Sequence, residues 1–414
     1  MPTILIIGTC DTKLDALLFL KQSILSFPLP VPELKVILMD VGFNPVNHEA
    51  IDISQADFMQ AEISDLDRHG FVDVVTCCAG KVLGQFMASQ RGLHGVISLG
   101  GSSGTSLAAG LTRLLPWGLP KVIVSTVTSG DTGPYVGESD ITLVNSVVDI
   151  AGLNGLLRDV IGNAGGGIIG AALAYEQRME LEKANGEVGK KKRVGVTMFG
   201  VTTPAVDAIR KYLGEMYGDE VEVFVFHATG HGGRAMEKMV RLEELDAVID
   251  LTTTEVADFV VGGVMSAGER RMSAAIEKNI PYLVSLGATE MVNFGARETV
   301  PERFTGRKLV EHNAAVTVMR TNREEAREIG RFIVGKLRKS ERPERVKVVI
   351  PRGGTSRMSK AGGVFEDKEV DEVLFEELRD GLKGSEIEVL EDERDINDEG
   401  FAESTAQLIG QLME

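Results

Sequence analysis

Val96-Ile97-Ser98-Leu99-Gly100-Gly101-Ser102-Ser103-Gly104-Thr105 decides how this chain is read. An apolar run suited to a buried strand enters a loop of glycines and hydroxyls, and Ser106-Leu107-Ala108-Ala109 then predicts a helix. Glycine lets the main chain turn and approach a ligand closely. The first N–H groups of the following helix lack intrahelical acceptors and carry the positive end of its dipole. The junction is therefore predicted to hold an anion, with phosphate as its occupant.

Working outward, short β-branched runs alternate with helical spacing along the whole chain, as in parallel sheets covered by helices on both faces. In the first half the strands are expected at 3–8, 35–41, 72–77, 96–100 and 121–126. A helix is expected at 13–25, capped by Asp11 or Thr12. The charged stretch 185–192 reads as a linker or exposed loop. The second half predicts strands at 193–199, 221–226, 246–251, 281–286, 315–319, 346–350 and 386–390. Residues 291–312 read as a long irregular loop. Asn322 or Thr321, with Glu324 and Glu325 following, starts a helix over 323–337. Acidic residues 366–399 read as a pair of solvated helix faces. The expected fold class is α/β, with two Rossmann-like doubly wound domains and mainly parallel sheets. Their bounds are 1–185, the nucleotide-binding domain, and 193–414. The halves look like variations on one plan, since Gly353-Gly354-Thr355-Ser356 echoes the loop at Gly100.

At 414 residues the chain is too long for one ordinary core. Its formal charge of −17 argues against gripping nucleic acid, which needs a basic surface. Cys10, Cys77 and Cys78 are too few for a disulfide framework and read as reduced, largely buried thiols. No signal peptide or membrane span is expected, and the cytoplasm is the expected location.

In open parallel sheets the ligand sits beyond the carboxyl ends of the strands, where the strand order reverses. That rule makes the loop Gly8 to Lys13 face the loop Gly100 to Thr105. The two loops offer Asp11, Thr12, Lys13, Gly100, Gly101, Ser102, Ser103, Gly104 and Thr105 to a polyphosphate with or without magnesium. Asp40, Thr126 and Asp131 are candidates for ribose or base, and Asp11 and Asp131 are the magnesium candidates. The competing view is that the glycines only make turns and Asp11 only caps a helix. No GxxxxGK[ST] segment occurs. The GxGxxG spacing at Gly165, Gly167 and Gly170 follows a helical stretch, so it reads as a turn and helix start. Gly100 to Gly104 also satisfies GxSxG, which keeps a serine hydrolase with Ser102 as nucleophile in play.

The second domain's candidate loop runs from Phe226 to Arg234. His227, Thr229, Gly230, His231, Gly232 and Arg234, with Thr252, Glu255 and His312, are its second-ligand candidates. A metal held by His227, His231 and His312 is the alternative to hydrogen bonding.

Gly8-Thr9-Cys10-Asp11-Thr12-Lys13, the Gly100 to Thr105 loop, His227-Ala228-Thr229-Gly230 with Gly232 to Glu237, and His312-Asn313 ahead of Met319-Arg320-Thr321 occur in that order. Together they resemble the ATP-binding inhibitory domain of the tomato mosaic virus resistance protein and its bacterial and fungal relatives, over nearly the whole chain. The resemblance implies two Rossmann-like subdomains, a homodimer and ATP in the first subdomain. In the plant protein this domain inhibits a viral replication protein, an activity that relatives in other kingdoms are not expected to share. Some relatives carry a fused barrel similar to phosphoenolpyruvate-using enzymes, which this chain is expected to lack. The functional expectation is an ATP-binding protein with a second-ligand crevice, engaged in phosphoryl transfer or hydrolysis. A non-catalytic small-molecule sensor is the alternative.

Overall fold

The structure is a computed structural model that describes residues 1–28, 34–59, 66–88, 92–185 and 191–414. The chain divides into two compact units, Met1–Val188 and Gly189–Glu414. Residues 186–190, most of the expected linker, lie outside the described residues.

In the first unit β1 (Thr3–Gly8) leads into α1 (Cys10–Leu25) and β2 (Lys35–Asp40), then α2 (Arg68–Ala88), β3 (Gly95–Gly100) and α3 (Ser102–Thr112). They are followed by β4 (Lys121–Ser125), α4 (Gly133–Val136), β5 (Thr142–Asn145) and α5 (Gly155–Asn185). The sheet is parallel throughout, in the order β2-β1-β3-β4-β5. β1 thus lies between β2 and β3, and the strand order reverses beside it. Every residue of β1 and β3 is buried, as a central strand covered on both faces requires.

Residues 72–77 are not a strand. They lie inside α2, where Phe71, Val75, Ala79 and Leu83 are buried at four-residue spacing, a helical period that outweighs the β-branched composition. The fifth strand is β5 instead. Within α2, Gly70–Met87 is long and apolar enough to cross a membrane by length and composition, though only 22% of it is buried; it packs along α3. Gly165 to Gly170 lie within α5, a continuous helix of 31 residues, so they start no helix. Of the three free cysteines only Cys10 is buried; Cys77 is exposed.

The second unit begins with β6 (Lys192–Met198), α6 (Thr203–Tyr217), β7 (Val221–His227), α7 (His231–Arg241), β8 (Ala247–Thr252), α8 (Thr254–Val261), α9 (Ala274–Glu277) and β9 (Tyr282–Gly287). Next come β10 (Met291–Phe294), β11 (Leu309–Asn313), β12 (Val316–Arg320), α10 (Arg323–Leu337), β13 (Val346–Pro351), α11 (Lys368–Leu382), β14 (Glu388–Asp392) and α12 (Glu399–Met413). Six of these strands form a parallel sheet in the order β14-β13-β9-β8-β6-β7. Counted from its own first strand, this sheet repeats the first unit's order and adds one strand at the far edge. Both units are therefore α/β, with parallel sheets consistent with Rossmann-like doubly wound domains.

The expected loop 291–312 contains β10 and β11, which pair antiparallel with β12 in a separate three-stranded sheet. Met291, Val292 and Phe294 anchor it in the core, a signal masked by the charge and glycine that follow them. α10 starts with a reciprocal cap: Asn322 accepts from the Glu325 amide and Glu325 accepts from the Asn322 amide. Residues 366–399 hold α11 and β14 with the start of α12, so a strand lies between the helices where helix faces alone were expected.

Candidate functional site

The switch point of the first unit opens into a cleft of about 660 Å³. Its polar end is made by Thr9, Asp11, Thr12 and Lys13 from the β1–α1 junction and by Gly101, Ser102, Ser103 and Gly104 from the β3–α3 junction. The facing loops expected from the strand order therefore share one cavity.

α3 begins at Ser102 with Gly101 at its N-cap and no capping side chain. Thr105 supplies the first amide to close back into the helix, onto the Gly101 carbonyl at 2.8 Å. The amides before it are left at the cleft with the positive end of the dipole. Lys13 adds a cation. Its backbone, at φ −131° and ψ 18°, departs from helical geometry inside α1, and its ammonium has no hydrogen-bond or ion-pair partner among the described residues. An unpaired cation and free amides thus line the same cleft.

The other first-unit candidates make contacts within the fold. Asp11 does not cap α1, which starts at Cys10. Its Oδ2 accepts from the Phe43 and Asn44 amides, each at 3.1 Å, and thereby ties down the loop after β2. Its Oδ1 is buried without a hydrogen-bond partner. Asp40 is fully buried and accepts from the Cys10, Gly42 and Val46 amides, so it does not reach the cleft. Burial and this carboxylate push the Cys10 thiol up. Thr105 is also fully buried, its hydroxyl bonded to Ser125 Oγ at 2.7 Å. Gly100 allows close packing: a Cβ there would lie 2.7 Å from the Thr105 nitrogen. Thr126 is half-buried at the end of β4, its amide on the Gly100 carbonyl. Asp131 is exposed outside the cleft lining and accepts from the Gly133 amide, so it is not brought together with Asp11. Ser102 makes no hydrogen bond to a histidine among the described residues, which leaves the serine-hydrolase reading without a base.

The other end of the cleft is apolar, lined by Phe43, Leu66, Phe71 and Leu107. The rings of Phe43 and Phe71 lie 5.0 Å apart and are tilted by 53°. Sequence reasoning missed this half because it placed Phe71 just ahead of a strand. The four-residue spacing from Phe71 to Leu83 was the signal available.

Two glycine-rich junctions of the second unit, those after β7 and β13, are closed from within. Glu255, fully buried, accepts from the Gly230 amide at 2.6 Å and the Gly233 amide at 3.0 Å, so a carboxylate of the chain itself occupies the start of α7. Arg271, also fully buried, donates to Glu255 at 2.7 Å and grips both oxygens of Asp250 at 2.5 Å. Tyr282 donates to the same Asp250. The Gly353 to Ser356 loop is filled likewise, with the Thr355 and Ser356 hydroxyls on the buried Glu290 carboxylate. Burial pushes Asp258 up to about 7, against the Asn293 and Met265 amides that hold it ionised.

Of the second-ligand candidates, Thr252, Gly230 and Gly232 are buried with Glu255, and Thr229 is half-buried. Thr252 bonds Thr202 inside the core. His227, His231, Arg234 and His312 are exposed. His227 stacks on Phe199 with ring centroids 5.6 Å apart, Arg234 donates to the Ser266 carbonyl, and His312 sits on β11. No group of three His, Cys, Asp or Glu is arranged to hold a metal among the described residues, which removes the three-histidine site.

The comparisons with known proteins follow the two units. Residues 2–177 match the Uncharacterised protein family (UPF0261) N-terminal domain, and residues 191–413 match its C-terminal domain. A UPF0261 protein of Clostridium tetani is 41% identical over 418 residues, covering 99% of each chain. Another, from Mesorhizobium japonicum, is 40% identical, again over 99% of each. The ToMV resistance protein Tm-1(GCR237) of Solanum lycopersicum is 40% identical over 97% of this chain and 54% of its own length, so the chain spans about half of the tomato protein. Both halves match in order and nearly end to end, and the chain belongs to the UPF0261 family.

Proposed function

We propose that the first unit binds a nucleotide, ATP, in the cleft between the β1–α1 and β3–α3 junctions. The observation that carries this reading is the layout of that one cavity. Free amides and an unpaired lysine lie at one end, and two phenylalanine rings lie at the other. A triphosphate would take the amides of Ser102, Ser103 and Gly104 with Lys13, and Thr12 would add a hydroxyl. The base would lie against Phe43 and Phe71.

Asp11 Oδ1, a buried acceptor with no partner, suits a magnesium ion that also touches phosphate, since that metal is commonly held by one or two carboxylates plus substrate oxygens. Magnesium would supply charge neutralisation there. The two cleft carboxylates are engaged, Asp11 with Phe43 and Asn44 and Asp67 with the Gly70 amide. Neither is presented as a general base, which favours a binding protein that responds to ATP over a phosphoryl-transfer enzyme. The setting proposed with it is cytoplasmic, with a homodimer as the resemblance implies and no nucleic-acid or membrane partner. A second small-molecule ligand in the second unit would have to use the exposed His227, His231 and Arg234 surface.

Isothermal calorimetry with ATP, ADP, AMP and adenosine, with and without magnesium, tests the reading. Affinity is expected to rise with phosphate number, and phosphate release is expected to stay at background. No binding of any adenine nucleotide would overturn the proposal. Magnesium-dependent turnover would restore the enzyme reading.

A further inference from the structure

Among the described residues that line the first unit's cleft, Asp67 is the one charged group at the apolar end. It sits at the entry to α2. Its side-chain Oδ1 accepts from the Gly70 amide at 2.8 Å, and its main-chain carbonyl accepts from the Phe71 amide at 3.0 Å. The two bonds fix the carboxylate one helical turn before the Phe71 ring and next to Leu66. Oδ2 has no hydrogen-bond partner among the described residues.

The cleft is therefore polarised along its length. Lys13 and the amides that begin α3 attract phosphate at one end, and a carboxylate repels it at the other. A triphosphate has one favourable orientation in such a cavity, with its uncharged end at Asp67. An ionised carboxylate can only accept hydrogen bonds. A flat ring lying against Phe43 and Phe71 is thus favoured if its edge offers an N–H to this carboxylate, and disfavoured if it offers only a lone pair. Because Oδ1 already holds the Gly70 amide, the free oxygen calls for a single donor.

Resting on the nucleotide reading of this cleft, we propose that Asp67 selects the base by accepting, at Oδ2, a hydrogen bond from an exocyclic amine such as that on C6 of adenine. Purine riboside triphosphate is ATP without that amine and has no N–H to offer in its place. Guanine carries a carbonyl at C6, and its two neighbouring N–H groups fit a carboxylate with both oxygens free.

Calorimetry on the full chain with ATP, purine riboside triphosphate, inosine triphosphate and GTP tests the assignment. ATP is expected to bind roughly tenfold more tightly than purine riboside triphosphate, the worth of one hydrogen bond to a charged acceptor at an exposed edge. Asp67→Asn keeps a good helix cap but can turn an N–H toward the base. That variant should lose most of the preference for ATP over purine riboside triphosphate and shift toward inosine triphosphate, whose C6 oxygen accepts. Equal wild-type affinity for ATP and purine riboside triphosphate overturns the role of Asp67 and leaves the nucleotide reading standing; this comparison needs no variant. Tighter binding of GTP than of ATP overturns the choice of amine, and so does a folded Asp67→Asn protein with an unchanged preference. If none of the four binds, the nucleotide reading itself falls, and this assignment with it.

Discussion

The two units repeat one strand order, and both place glycine-rich turns between a parallel strand and a helix, yet they treat those turns in opposite ways. In the first unit the start of α3 has no capping side chain and faces a cleft with the unpaired Lys13. In the second, Glu255 covers the start of α7 and Glu290 fills the Gly353 to Ser356 loop. A strand–glycine–helix junction makes main-chain donors available. Whether a ligand meets them depends on whether the chain brings its own carboxylate.

The sharpest way to break this comparison is to remove the residue that holds the second unit's internal carboxylate. Arg271→Leu leaves Asp250 and Glu255 buried without their cation, and losing one partner of a buried ion pair costs about 3–5 kcal/mol. Urea unfolding should show a loss of that size in the second unit. A loss under about 1 kcal/mol would mean that the carboxylates are not held as charges there.

A paired glycine experiment comes next. At Gly233 a Cβ would lie 2.0 Å from Glu255 Oε2 and 2.7 Å from Arg271 Nε, both closer than atoms can approach. Gly233→Ala is expected to destabilise by about 2 kcal/mol through overpacking and broken hydrogen bonds. At Gly101 the nearest atom to such a Cβ is Thr126 Oγ1 at 3.7 Å, ordinary contact. Gly101→Ala should leave the melting temperature unchanged and weaken ATP binding, because the methyl group crowds the place where phosphate approaches the main chain. Equal destabilisation by the two substitutions would erase the distinction between the units.

The same contrast explains what could be read in the sequence. Most strands of both sheets were legible because a parallel sheet buried on both faces is written as local apolar runs; β5, an edge strand with no fully buried residue, was not, and α10 was legible down to its cap at Asn322 and Glu325. Residues 72–77 misled because β-branched composition was weighed without the four-residue spacing that begins at Phe71. Glu255 was picked out as a second-ligand candidate, and it lies in the first turn of α8. Its pairing with Gly230 and Gly233 joins residues 22 and 25 positions apart in sequence, and no local pattern says whether a carboxylate turns toward a ligand or toward the chain's own amides. Asp11 and Asp40 show the same limit on a smaller scale, since both serve the loop after β2.

Lys13 separates charge from fold. With no carboxylate partner to strand, Lys13→Ala should leave stability within about 0.5 kcal/mol of wild type. ATP affinity should fall by roughly tenfold, about 1.4 kcal/mol, and affinity for adenosine should barely change. Calorimetry on the variant measures both ligands. An equal loss for adenosine would place the lysine away from the phosphates.

The smallest expected effect tests the apolar end, which distinguishes a nucleotide site from a general phosphate site. Phe43 is 40% exposed at the cleft edge, so Phe43→Leu removes a ring face at little cost to the core. Aromatic contact beyond simple burial is worth about 0.5–1.5 kcal/mol, so ATP affinity should drop several-fold. Tripolyphosphate, which has no base, should bind the variant and the wild-type protein alike. If both ligands weaken together, the phenylalanine acts by holding the Asn44 loop on Asp11, and the cleft recognises phosphate alone. If ATP alone weakens, the two ends of the cavity act on two parts of one molecule, which the second unit's self-filled junctions cannot do.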